Sequence, residues 1–114
     1  MIRMPEYTDG CFELFKVEND ETSDFPIDIL KTTGINVWFR EISVFDKVRY
    51  EFEQGGKEIT MKIRIPRYKG IDSTCAVKIE GKIHMVYNAA HIVDKEGFKE
   101  TELTLVRPDK ELRE

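Results

Sequence analysis

The sequence predicts an all-β domain: a small, mostly antiparallel β-barrel or sandwich with long loops and at most short helical turns. Three observations predict it. Residues 58–65 alternate strictly, with Ile59, Met61, Ile63 and Ile65 on one parity and Thr60, Lys62 and Arg64 on the other. Residues 75–106 read as a meander of three strands turning at Glu80-Gly81 and Lys95-Glu96-Gly97. No stretch carries a strong helical period, and five or six strands without one point to a small closed or stacked sheet.

The chain has 114 residues, which suits a single domain over 1–114. Apolar residues make up 40%, enough for a core without disulfide staples, and the 35% charged residues mix both signs, so folding is expected. The net charge is -4 and the pI about 5.3. That balance argues against tight, unspecific binding of DNA or RNA over the whole surface. Charge is unevenly placed. Residues 1–34 hold eight acidic and three basic residues, and residues 57–82 hold seven basic and three acidic ones.

The first expected strand covers residues 11–18, after an Asp9-Gly10 turn. Residues 1–34 read as a partly extended N-terminal arm; within it 19–34 begins with an acidic loop, Pro26 interrupts any helix, and Ile27, Ile29 and Leu30 suit docking on the core as an extended arm or a single turn. Gly34 is expected to start the next strand, which runs to Phe45. There Ile35, Val37 and Phe39 alternate, and Ile42 and Val44 take the other parity, which predicts a bulge near Arg40-Glu41. Residues 46–56 fit two readings. Val48, Tyr50 and Phe52 alternate as in a strand, whereas Phe45, Val48 and Phe52 share a helical face. A hairpin arm turning at Gly55-Gly56 is favoured, because a clear strand follows. Pro66 ends that strand, and 67–74 is a loop.

In the meander, Cys75, Val77 and Ile79 form one apolar face, and Ile83, Met85 and Tyr87 are expected to restore it. A bulge at Asn88–Ala90 and a last strand to Val106 follow, with Thr101, Leu103 and Leu105 on one face. A two-residue turn at Glu80-Gly81 would set Val77 opposite His84, against that apolar pattern, so a different loop length is expected. The tail, 107–114, is charged and reads as a helical turn or as disorder.

The search for chemistry returns little. Cys11 and Cys75 lie far apart with no CxxC pair, and read as reduced thiols of an intracellular protein, Cys75 in the core. His84 and His91, seven apart, fall on opposite faces of a regular strand, with His84 facing solvent; they do not form a metal pair. The carboxylates sit in loops and on solvent faces, and no phosphate cradle is present. No catalytic residue, metal or cofactor is expected, and the chain is not read as an enzyme. The start lacks an apolar signal-peptide region, and no apolar run is long enough to span a bilayer, so no membrane association is expected.

Two features suit binding. The run Lys62, Arg64, Arg67, Tyr68 and Lys69 could track phosphates and stack on a base, although a solvated strand face is the favoured reading. Trp38 beside Arg40 suits an interface anchor or a second covered face equally.

Several segments resemble, in order and spacing, the head-tail joining or head-closure proteins of tailed bacteriophages. They are Val37-Trp38-Phe39-Arg40-Glu41, Lys62-Ile63-Arg64-Ile65-Pro66-Arg67-Tyr68 with Gly70-Ile71, Ile79-Glu80-Gly81-Lys82-Ile83 with Val86-Tyr87-Asn88, and Glu102-Leu103-Thr104-Leu105. They cover about residues 35–106, and Tyr7-Thr8-Asp9-Gly10 suits the usual start of that family. The resemblance implies a β-barrel core and a homo-oligomeric ring at the virion neck, made in the host cytoplasm. That ring would bind the portal or connector and the tail proteins and continue the channel for packaged double-stranded DNA. It implies a loop into the channel, here Asp46, Lys47, Arg49, Glu51, Glu53, Gln54, Gly55, Gly56 and Lys57. Subunit contacts would fall at Trp38, Arg40, Arg64, Arg67 and Tyr68. The alternative function is an oligonucleotide-binding barrel that uses the basic 62–69 segment.

Overall fold

A computed structural model describes residues 6–20, 27–108 and 112–113. Residues 21–24 of the acidic loop, Pro26, and residues 109–111 and 114 of the charged tail lie outside the described residues. The strands are β1 (Gly10–Asp20), β2 (Ile27–Ile42), β3 (Ile59–Pro66), β4 (Cys75–Ile79), β5 (Lys82–Val93), β6 (Lys99–Val106) and β7 (Leu112–Arg113). One helix, α1 (Asp46–Gln54), lies between β2 and β3.

Six strands follow the order β1-β4-β5-β6-β3-β2, and β1 pairs back onto β2, so the sheet closes in a ring. All those pairs are antiparallel. The predicted all-β, mostly antiparallel class is what forms, although the ring is not a regular barrel. The β1–β2 pair is unusually long, from Gly10–Phe39 to Asp20–Ile27. The short β7 adds to β2 in parallel, at Asp28 and Ile29.

Alternation fills the ring. Phe12, Leu14, Phe39, Ile63, Ile65, Val77, Val86, Leu103 and Leu105 form the main core, all at most 2% exposed. Cys75 joins them, as expected. A second, smaller cluster of Phe15, Leu30 and Ala76 lies apart, with Val17, Ile83, Met85 and Leu112 packed on it.

Several local expectations are corrected. β2 begins at Ile27, not at Gly34. No register shift falls at Arg40-Glu41, where β2 pairs regularly with Arg64, Ile63 and Lys62. The irregularity lies earlier: Glu13 pairs Asn36 but Phe15 pairs Thr32, so three residues of β2 oppose Leu14 alone. Alternation along β1 sends Phe12 and Leu14 to the main core and Phe15 and Val17 to the second cluster.

The β4–β5 hairpin has the simple two-residue turn, with Ile79 opposite Lys82 and Val77 opposite His84. Glu80 at φ 50 and Gly81 at φ 79 are both left-handed, as a type I′ turn requires. The apolar pattern misled because β4 is covered on both faces. Cys75 and Val77 enter the main core while Ala76 enters the second cluster, where it meets Ile83 and Met85. Those two β5 residues therefore do not share the Val77 face. The β5 bulge sits at Tyr87, one residue before the expected stretch. The second turn forms at Asp94–Phe98, with Gly97 donating its N–H to Asp94 O at 3.1 Å. Leu112, expected in a helical turn or disorder, lies in β7 instead.

The favoured hairpin arm at 46–56 is a helix. Its stop signal is specific: Lys57 N–H reaches Phe52 O at 2.9 Å and Gly56 N–H reaches Glu53 O at 3.0 Å. Those two bonds make a Schellman cap, with Gly56 in the left-handed position at φ 79. The glycine pair ends a helix here and does not turn a hairpin.

Candidate functional site

The outer face of β2, β3 and β6 carries a ladder of charges. Alternation fixes it, since Ile63, Ile65, Leu103 and Leu105 point inward and Lys62, Arg64, Glu100 and Glu102 point outward. Arg40 and Arg64 are cross-strand neighbours. Arg40 grips Glu100, with Nη2 at 2.8 Å from Oε1 and Nε at 3.2 Å from Oε2. Tyr7 Oη donates to the same carboxylate at 3.0 Å. Glu100 is fully buried beneath these partners. Sequence reading placed every carboxylate in loops or on solvent faces, and Glu100 overturns that. It stands on the outward parity of its strand, so no apolar pattern marks it.

Burial, aided by the hydrogen bond to the Glu100 carboxylate, pushes the Tyr7 hydroxyl up to about 12. The same carboxylate raises Arg40 further above its ordinary value.

The basic stripe is engaged within the fold. Lys62 lies 3.4 Å and Arg64 3.9 Å from the Glu102 carboxylate. Arg67 Nη2 donates to Ile92 O at 3.0 Å. Tyr68 packs against the main core, and its N–H donates to the buried Thr101 hydroxyl at 2.9 Å. A phosphate at this face would have to compete with Glu102, and a base would have to displace Tyr68 from its packing. Of the five candidate interface residues, Trp38 alone is wide open, at 61% exposure.

The candidate channel residues stand on α1 and the turn after it. Asp46, Lys47, Glu51, Glu53, Gln54, Gly55, Gly56 and Lys57 are exposed. Arg49 is half-buried, because Nη1 donates to Ile59 O at 2.8 Å. Three carboxylates (Asp46, Glu51, Glu53) balance three cations (Lys47, Arg49, Lys57), so the segment is neutral. No residue of α1 is buried. Phe52 holds it to the sheet by an edge-to-face contact with Tyr87, at 4.9 Å between ring centres. Two large aromatics on and beside it face outward, Phe45 at 77% exposure and Tyr50 at 63%. Sequence reading missed both as surface residues, having placed Phe45 inside a strand.

The histidines and cysteines are structural in their contacts. His84 is half-buried and does not face solvent freely: its Nδ1 bonds Thr60 Oγ1 at 2.7 Å. Burial, with Lys82 nearby, lowers its pKa below the ordinary value. His91 Nδ1 bonds Thr101 Oγ1 at 2.9 Å. The Tyr87 bulge returns both imidazoles to the same sheet face, yet each binds a different threonine. Cys75 Sγ lies 3.8 Å from Asp72 Oδ1, and His84 faces Val77 across the hairpin. Among the described residues no group of three or more metal-ligating side chains assembles. No helix there is long and apolar enough to cross a membrane.

No protein-family model matches this sequence, and no curated protein matches it.

Proposed function

We propose that this chain is a structural assembly protein of a phage neck, forming a homo-oligomeric ring that continues the DNA channel between the portal or connector and the tail. The observation that carries the reading is the set of exposed aromatics, Trp38 on β2 with Phe45 and Tyr50 at α1. Large exposed aromatics suit protein contacts, where such residues supply most of the binding energy. Two further features support it. The sheet closes on itself, which leaves a rigid body fit for stacking between other rings. The neutral α1 segment suits a channel lining that lets DNA slide, since each phosphate neutralised by a cation adds grip.

The test is co-sedimentation with purified portal–connector particles. The chain is expected to move with the particles in a fixed ratio, and Trp38→Ala combined with Tyr50→Ala is expected to weaken that association. A chain that never joins the particles would overturn the reading. Short duplex and single-stranded DNA are expected to bind weakly. Tight, steeply salt-dependent binding that Arg64→Ala and Arg67→Ala abolish would favour the oligonucleotide-binding barrel instead.

A further inference from the structure

The regular alternation of β5 breaks at one residue. Val86 pairs Leu105, and the next pair is Asn88 with Thr104, so Tyr87 is the extra residue of a bulge. Bulges re-aim a side chain, and they recur beside binding sites. Next to the inward Val86, Tyr87 faces out of the sheet at 45% exposure. The ring stands against Phe52 of α1, and Lys57 Nζ lies 5.9 Å from its centre.

A cavity opens on each side of Tyr87. The first, about 240 Å³, lies under α1 and is lined by Glu51, Phe52, Gly55, Lys57 and Tyr87. The second, about 270 Å³, also has Lys57 and Tyr87 in its wall and continues over Met85, Val106 and Arg107. Sharing two walls, they form one groove with an apolar floor.

The charges give the groove a direction. Lys57 stands at its middle and Arg107 at one end. Among the described residues no carboxylate pairs with Lys57. The partner of Arg107 is Glu58 at 3.5 Å, an open pair with both side chains mostly in solvent, and such pairs yield readily to a better-placed anion. At the other end stand Glu51 and the C-terminal carbonyls of α1, which disfavour an anion. A carboxylate therefore fits between Lys57 and Arg107. An apolar side chain fits against the paired Phe52 and Tyr87 rings, which line the cavity together.

We propose that this groove docks an extended protein segment carrying a carboxylate next to an apolar side chain. The proposal goes beyond the neck reading and does not depend on it, because the groove belongs to the single chain.

The test is a ¹⁵N chemical-shift titration of the full chain with two peptides, Ac-Glu-Leu-Glu-Phe-NH₂ and Ac-Lys-Leu-Lys-Phe-NH₂. The acidic peptide is expected to give saturable shifts at Lys57, Met85, Tyr87 and Arg107, and the basic one none there. Lys57→Glu is expected to weaken the acidic peptide by about tenfold or more. Arg107→Glu is expected to act in the same direction, and both sites are exposed, so the fold persists. Absent shifts, equal response to both peptides, or unchanged affinity in both variants would overturn the proposal. Failure here leaves association with connector particles untouched, and loss of that association leaves the peptide titration untouched.

Discussion

Arg40 on β2 and Glu100 on β6 are 60 residues apart in sequence and joined by two parallel hydrogen bonds in space. Glu100 is fully buried, whereas the Arg40 side chain keeps 28% of its surface. Such a carboxylate is tolerable only while its partner is present. Arg40→Ala should therefore destabilise the fold by about 3 kcal/mol, the usual cost of orphaning a buried charge. Adding Glu100→Gln to that variant should recover part of the loss, because a neutral amide costs less to bury. Urea unfolding of the two variants against the parent checks both statements.

Tyr7 caps the same carboxylate and keeps its proton unusually long. Its folded value is about 12 against an ordinary 10.0. A group whose folded value is raised contributes stability that is fully present below the unfolded value and is lost as pH rises through the folded one. The loss from Tyr7 should fall between pH 10.0 and about 12. Tyr7→Phe should remove a late phenolate absorbance step and flatten stability over that window. Ultraviolet titration with parallel unfolding curves reads both.

His84 behaves in the opposite sense. Burial lowers its folded value below the ordinary 6.5. The folded state therefore prefers the neutral imidazole, whose contribution is present above 6.5 and is lost as pH falls from there through the lower folded value. His84→Gln should blunt the fall in stability below pH 6.5. NMR titration of the ring protons should show one histidine holding neutral to lower pH than in the unfolded chain.

Gly56 ends α1 in the left-handed position, at φ 79. A Cβ there would meet no atom within 4 Å, so the only cost of Gly56→Ala is backbone strain. That cost should be about 1 kcal/mol. The change should fray α1 before it touches the sheet, because no residue of α1 is buried. Amide exchange should quicken at Lys57 and Gly56 and stay unchanged at Leu103 and Leu105.

The sequence was most legible where apolar and polar residues alternate. Ile63 and Ile65, Leu103 and Leu105 alternate cleanly, and their strands lie where the alternation put them. It misled where both faces are covered, as at Cys75, Ala76 and Val77, because a continuous apolar run carries no register. The bulge at Tyr87 hid the parity of β5. At α1 the same residues satisfied two periods, and only the reach of Lys57 N–H to Phe52 O decides for the helix. Of the candidate site, Trp38 was legible as an outward aromatic. Glu100 was not, since its partners Arg40 and Tyr7 are brought to it only by closure of the ring.

The proposed role is assembly as a ring on a DNA-conducting neck. Electron microscopy of the chain mixed with purified portal–connector particles tests it most directly. The account predicts a closed annular layer added to one end of the particle, coaxial with its channel and open along the axis. Particles that stay unchanged at saturating chain, or that carry a layer which blocks the axis, would contradict it.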